Sequence, residues 1–452
     1  MTPGFDVLVV GGGPAGIAAA VAAGRLGMRT ALVEAGRSFG GLATLGLCMA
    51  PYHDGNGDPV AGGLAEEIAR RLANGGGPPH VLWPGGPLGS VTPIDPAGLL
   101  AALSDLVREA GVQVLLQHTG TDVVWDQGSV RGAVVQGAGG RFEVRSRTVV
   151  DATANGALAA LAGAEMATGH GAEPRGAPPL TVLPLAGVRL HAALGSPFGV
   201  EGLSLWARPA GGRRAAPIFG VGTLEPWHEA IELEGPPFHR QEYLHCHAGP
   251  RGRVVLAVSG LAGEDPADPW LRSAGELEMA RRADGLLRLL RRHVKGFAPA
   301  SRISPPVTVG EPRRIVGEYV LTEADLLEAR RFVDCVGRAA HPPPGGGGGE
   351  GANGEGPFQP FRRGGGYDIP YRCLLPRGVA GLLVAGRGLS ADPRAAAALR
   401  TLPAGFVLGE AAGTAAALAA LTGQEPRHLD LRLLQRTLVK NGAILGRDFA
   451  DL

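Results

Sequence analysis

The hexapeptide Gly11-Gly12-Gly13-Pro14-Ala15-Gly16 constrains this chain more than any other feature. It fits G-x-G-x-x-G and lies between an apolar run, Phe5–Val10, and an alanine-rich stretch over 14–26. The pattern predicts a strand, a tight turn and a helix, and the run Thr30–Glu34 predicts the second strand of a βαβ unit. In such a unit Gly11 permits the turn, Gly13 lets a pyrophosphate approach the backbone, and Gly16 lets the helix lie close to the strand. Pro14 and Ala15 open the helix, whose amides and dipole favour phosphate oxygens. Glu34, followed by Ala35, ends the second strand, where a carboxylate accepts from ribose hydroxyls and repels a 2′-phosphate. The turn alone leaves FAD and NAD both open.

A chain of 452 residues, 45% hydrophobic, is long enough for two domains. Further helices are expected over 61–72 and 96–110, and strands over 112–116, 130–135 and 142–150. From about 170 the βαβ rhythm gives way to proline-punctuated segments with one amphipathic helix over 274–294. The segment 341–366, with three prolines followed by five glycines, reads as a mobile linker or a lid. A buried strand over 382–385, a turn at Gly386-Arg387-Gly388 and a helix over 403–421 follow. Gly405, Gly409 and Gly413 in that helix allow close backbone approach. The expected fold class is α/β: a discontinuous Rossmann-like domain over 1–170 and 367–452, with an inserted α+β substrate domain over 171–340.

Lys plus Arg number 43 against 42 for Asp plus Glu, so no net field draws nucleic acid or an anionic membrane. Cys48, Cys246, Cys335 and Cys373 form no CxxC, which argues against a local zinc site or redox dithiol and fits a reducing, cytoplasmic setting. The early glycines leave no room for a signal peptide. The apolar stretch 403–421 contains Glu410 and is built of Ala and Gly, so it is expected to pack inside the protein rather than span a membrane.

Further motifs recur in order: Gly40-Gly41-Leu42-Ala43-Thr44, Gly62-Gly63-Leu64-Ala65-Glu66-Glu67, Glu311-Pro312-Arg313-Arg314-Ile315-Val316-Gly317-Glu318-Tyr319, Tyr367-Asp368-Ile369-Pro370-Tyr371-Arg372, Leu383-Val384-Ala385-Gly386-Arg387 and Gly409-Glu410-Ala411-Ala412-Gly413-Thr414. The set resembles the FAD-dependent oxidoreductases related to the fumarate reductase flavoprotein subunit, with a glutathione-reductase-like flavin fold. The resemblance implies FAD as cofactor and the Rossmann-like domain as an FAD-binding domain. It sets Gly40, Gly41, Ala43 and Thr44 along the pyrophosphate and flavin, and Gly120, Ala152 and Thr153 by the adenine end. It sets Gly386 and Arg387 at the pyrophosphate and ribityl chain, and the start of the last helix, with Gly405, toward the flavin pyrimidine. Three departures stand out. Gly310 replaces a usual arginine, prolines and glycines replace an Asp-x-His after Arg338, and Ala154-Asn155-Gly156 replaces Gly-Asp-Gly.

Flavin chemistry asks the protein for positive charge near the reduced ring and a group that moves a proton. Arg400 is the candidate for the charge, with Arg372 and Arg394 behind it. Tyr52 and His53 follow the Gly40–Thr44 motif, and His53 reads either as a general base or as a loop histidine beside Asp54. His245 and His247 fall on one face of a strand, half of a metal site at most, and no metal is expected. The leading reading is a dehydrogenase or reductase moving a hydride between a small organic substrate and the flavin, with a separate electron donor or acceptor. A flavin monooxygenase or oxidase is the alternative, and a non-catalytic flavin-binding protein a second one. The absence of a second G-x-G-x-x-G disfavours a disulfide reductase.

Overall fold

A computed structural model describes residues 4–73, 80–83, 88–167, 180–189, 205–207, 219–223, 229, 243–248, 253–259, 269–294, 296–310, 313–344 and 358–446. Strand β1 (Phe5–Val10) runs parallel to β2 (Thr30–Glu34), joined by helix α1 (Pro14–Arg25). The sheet extends in parallel through Gln113–Leu116 beside β2 and through Gly140–Asp151 beside β1, with Leu382–Val384 beyond. Strands Ser129–Gly137 and Thr119–Asp126 pair antiparallel at the far side. Val10 lies opposite both Val33 and Asp151, and Asp151 opposite Val384. The carboxyl ends of the parallel strands therefore share one edge, the edge where open α/β sheets bind ligands. This is the expected α/β architecture with a Rossmann-like core.

The helix Leu402–Thr422 is long and apolar enough to cross a membrane by composition, but 89% of its apolar window is buried in this core. It lies against α1. A Cβ at Gly409 would overlap the Ala15 carbonyl, one at Gly413 the Ala19 carbonyl, and one at Gly405 would come within 3.2 Å of the Pro14 Cβ. Glycine every fourth residue thus gives the two backbones a groove in which to meet.

A second, antiparallel sheet runs in the order Leu205–Ala207, Phe219–Thr223, Tyr243–Ala248, Val254–Ser259, Leu180–Ala186, with Ser301–Arg302 and Val307–Val309 along the last edge. Strand alternation gives it two apolar faces. Leu183, Leu185, Leu256 and Val258 pack under the helix Pro269–His293. Val182, Val255, Ala257 and Val309 pack on Leu42, Leu45 and Leu47, which follow the glycine pair Gly40-Gly41.

One expected boundary differs. Leu321, Leu326, Phe332, Cys335, Val336 and Ala339 belong to the first core, so the chain returns to the nucleotide-binding unit well before residue 340. The described flanks of segment 341–366 pair with each other: Cys335–Ala339 runs antiparallel to Tyr367–Pro370, and Pro344 bridges Phe358. The glycine run of that segment, within 345–357, lies outside the described residues.

Candidate functional site

The glycine turn divides its labour as its spacing implies. Gly11 has φ +105°, and a Cβ there would press on the Ala152 carbonyl. A Cβ at Gly16 would overlap the Gly11 carbonyl oxygen, so α1 sits directly on the turn. Gly13 differs from both: its φ of −73° suits any residue, and the space its missing side chain leaves is open. No side chain caps α1, and Pro14 has no N–H to give. The Ala15 and Gly16 amides of the first turn are thus donors facing that open space. Glu34 closes the other side, its carboxylate accepting from Gly12 N–H and Gly36 N–H, each at 2.6 Å. Two adjacent amide donors, a helix dipole, clear space over Gly13 and a carboxylate at the strand end fit the ADP portion of FAD.

The segments expected around this turn do gather there. Gly40 N–H donates to the Gly12 carbonyl at 2.7 Å, and a Cβ at Gly41 would lie 3.5 Å from the Gly13 Cα. Ala43 is buried beneath, and Thr44 Oγ1 donates to the Gly41 carbonyl at 2.8 Å. Ala152 N–H donates to the Val10 carbonyl at 2.8 Å, and buried Asp151 shapes the following turn by accepting from Thr153 N–H, Thr153 Oγ1 and Ala159 N–H. Gly386, at φ +79°, approaches the Ala15 Cβ.

Among the other expected residues, Gly120 leaves room for the side chains of Leu158 and Val10 and Gly405 for that of Pro14, and Ala35 is exposed. Arg387 donates to the Gly310 carbonyl, and Arg400 Nη2 donates to the neighbouring Val309 carbonyl at 3.2 Å. Two arginines of the nucleotide-binding unit therefore hold consecutive carbonyls at the edge of the second sheet, at the point where the family's usual arginine is replaced by Gly310. Arg372 is paired with Asp334 at 2.8 Å and Arg394 with Glu323, so both have structural partners.

Tyr52 corrects the expectation of an active-site phenol. It is 1% exposed, its hydroxyl donates to the Ala65 carbonyl at 3.0 Å, and burial pushes its pKa up. It is a core tyrosine. His53 is half-buried, with its pKa lowered by burial and then by His80. The residues around it were not read from sequence. Ser90 Oγ lies 3.1 Å from His53 Nδ1, the His80 ring centroid 5.1 Å from that of His53, and His80 bonds to Thr92 Oγ1 at 2.7 Å and Glu66 Oε2 at 2.8 Å. No local spacing links these positions. His247 Nδ1 accepts from Cys48 N–H at 3.0 Å, while the side chain of His245 lies outside the described residues.

A family model described as FAD dependent oxidoreductase matches residues 6–438. No curated protein sequence matches the chain. Similar solved structures include a geranylgeranyl bacteriochlorophyll reductase-like protein from Thermoplasma acidophilum, at 14% identity and a TM-score of 0.47, with 97% of this chain and 83% of that one covered. The myxobacterial chondrochloren halogenase has 13% identity and a TM-score of 0.49 over 96% and 78%. An anhydrotetracycline hydroxylase from Streptomyces rimosus has 14% identity and a TM-score of 0.48 over 97% and 66%.

Proposed function

The chain belongs to the FAD dependent oxidoreductase family, with FAD as its cofactor, and from that premise we propose a dehydrogenase or reductase that moves a hydride between a small organic substrate and the flavin. The observation that supports direct exchange between substrate and flavin, rather than through a thiol relay, is the state of the thiols. Cys48, Cys246, Cys335 and Cys373 are all buried, no disulfide joins them, and burial pushes Cys48 and Cys246 up to about 12. A thiol relay needs an accessible pair with thiolate character. The substrate atom therefore meets the flavin itself. A reducing, cytoplasmic setting suits the same four thiols. The narrower kinship with fumarate reductase flavoprotein subunits rests on the motif set alone.

FAD, when bound, supplies two-electron redox chemistry. The Ala15 and Gly16 amides would hold its pyrophosphate, Glu34 its adenosine ribose, and Gly40 to Thr44, Ala152, Thr153, Gly386 and Arg387 would line its length. Arg400 precedes Thr401, the N-cap of Leu402–Thr422, so guanidinium and helix dipole add as sources of positive potential. The apolar contact of Leu42, Leu45 and Leu47 with the second sheet excludes water from one flank.

The test is anaerobic exposure of the holoenzyme to alcohols, amines and compounds with activated C–C bonds while the flavin absorbance is followed. Bleaching by one of these classes supports the proposal. Consumption of an organic compound only with a pyridine nucleotide and dioxygen, with oxygen entering the product, replaces it with a monooxygenase. Tight flavin binding with no reduction by any compound makes the chain a flavin-binding protein.

A further inference from the structure

Ser90 is fully buried, and its hydroxyl has three neighbours. Its Oγ accepts from Tyr52 N–H at 3.0 Å and from His53 N–H at 3.1 Å, and it lies 3.1 Å from His53 Nδ1. A serine hydroxyl has two acceptor lone pairs and one proton. The two main-chain amides take both lone pairs, so only the proton is left for the imidazole. Nδ1 must then be the acceptor, and a neutral imidazole that accepts at Nδ1 carries its own proton on Nε2. Nε2 has no hydrogen-bond partner among the described residues, and the ring is half-buried.

We propose that Ser90 is a positioning residue that fixes His53 as the neutral Nε2–H tautomer, so that His53 offers its ligand a hydrogen-bond donor and not a base. The complementary ligand presents an acceptor oxygen, such as a carbonyl, carboxylate or phenolate. That part rests on the proposed function and takes His53, which follows the Gly40–Thr44 motif in sequence, to lie near the flavin. The tautomer rests on neither.

The surroundings agree with a neutral ring. A second proton on Nδ1 would point an N–H at a hydroxyl with no lone pair to spare. Burial and the His80 ring both disfavour the charge, while Glu66, bonded to His80, and Asp54 oppose them without reversing the shift. The departure from the general base expected of His53 has a physical source: the alternation of residues in sequence carries no information about which ring nitrogen a distant hydroxyl reaches.

The experiment is a long-range proton–nitrogen correlation spectrum of the holoenzyme labelled with ¹⁵N-histidine, with the His53 signals assigned by their loss in His53→Gln. The parent is expected to have a protonated Nε2 and a bare Nδ1 at neutral pH. Ser90→Ala should admit the Nδ1–H form and raise the titration midpoint by about one pH unit. Ser90→Thr, which keeps the hydroxyl, should restore the parental pattern. An Nδ1–H tautomer in the parent overturns the proposal, as does a Ser90→Ala spectrum with unchanged tautomer and midpoint. The parental spectrum decides the tautomer even if Ser90→Ala does not fold. No turnover is measured, so a chain that reduces no organic substrate would fail the proposed function and still report on His53.

Discussion

Glu34 accepts the Gly12 amide through Oε2 and the Gly36 amide through Oε1, both at 2.6 Å, so the acid that ends β2 also holds the glycine turn in shape. Glu34→Ala removes the acceptor of two partly buried amides and, in the proposed site, that of the ribose, and should cost about 1–3 kcal/mol of stability and at least roughly tenfold in FAD affinity. Glu34→Gln keeps one oxygen acceptor and should fall between. Thermal melts of the apoprotein and quenching of FAD fluorescence on binding measure the two effects. Parental FAD affinity in Glu34→Ala would confine the residue to holding the turn.

Gly13 and Gly16 should separate binding from folding. Gly13 has an ordinary φ and open space above it, so Gly13→Leu should fold with stability within about 0.5 kcal/mol of the parent and purify without flavin. Gly16→Ala forces a methyl into the Gly11 carbonyl and should lose more than about 1–3 kcal/mol through backbone displacement. Flavin content by absorbance, set beside urea midpoints, distinguishes the two. A yellow Gly13→Leu protein would count against the pyrophosphate assignment.

Arg400 donates to the Val309 carbonyl and stands one residue before the cap of the long helix. Arg400→Met should retain FAD, lower the flavin potential and slow anaerobic reduction by roughly 100-fold. Arg400→Lys should recover part of the rate, because a point charge does not reproduce the guanidinium fork. Stopped-flow reduction and a redox titration give both numbers. Parental values, combined with faster amide exchange along Val307–Val309, would make Arg400 a latch between the two sheets instead.

Glu410 lies buried in the helix Leu402–Thr422 and accepts from Leu64 N–H at 2.9 Å, and burial raises its pKa to about 7. Below its ordinary pKa of 4.5 both folded and unfolded chains carry the proton. Between about 4.5 and 7 only the unfolded chain releases it, so this group makes stability fall as pH rises across that window, by about 3 kcal/mol in full. Glu410→Gln keeps the acceptor for Leu64 and should flatten that part of the curve. Urea unfolding of parent and variant at pH 5 and pH 8 measures the difference. Parallel curves would place the Glu410 titration outside this range.

The first βαβ unit was legible almost to the residue because its signals are local: Pro14 at the helix start, alternation of apolar residues, glycine where φ must be positive. The second sheet was not, and Pro184 is one reason. It sits within Leu180–Ala186, where a proline argues against a paired strand. The fold accommodates it because the neighbouring edge breaks between Arg302 and Val307 beside it, and Ile303 N–H donates to its carbonyl at 3.0 Å. The segments that gather at the glycine turn could be named in advance because they share one motif order. The Ser90 and His80 contacts could not, because they join two-residue strands and loops whose meeting is decided by tertiary packing.

The groove of Gly405, Gly409 and Gly413 against α1 has a consequence for biosynthesis. The glycine turn is synthesised well before the helix that supports it; the bond from Leu64 to Glu410 alone spans 346 residues. A nascent chain carries the nucleotide fingerprint long before it owns the scaffold that steadies it. Closing so long a loop is slow relative to local helix formation. Flavin loading is therefore expected to wait for that helix, and a product truncated before residue 402 should emerge colourless.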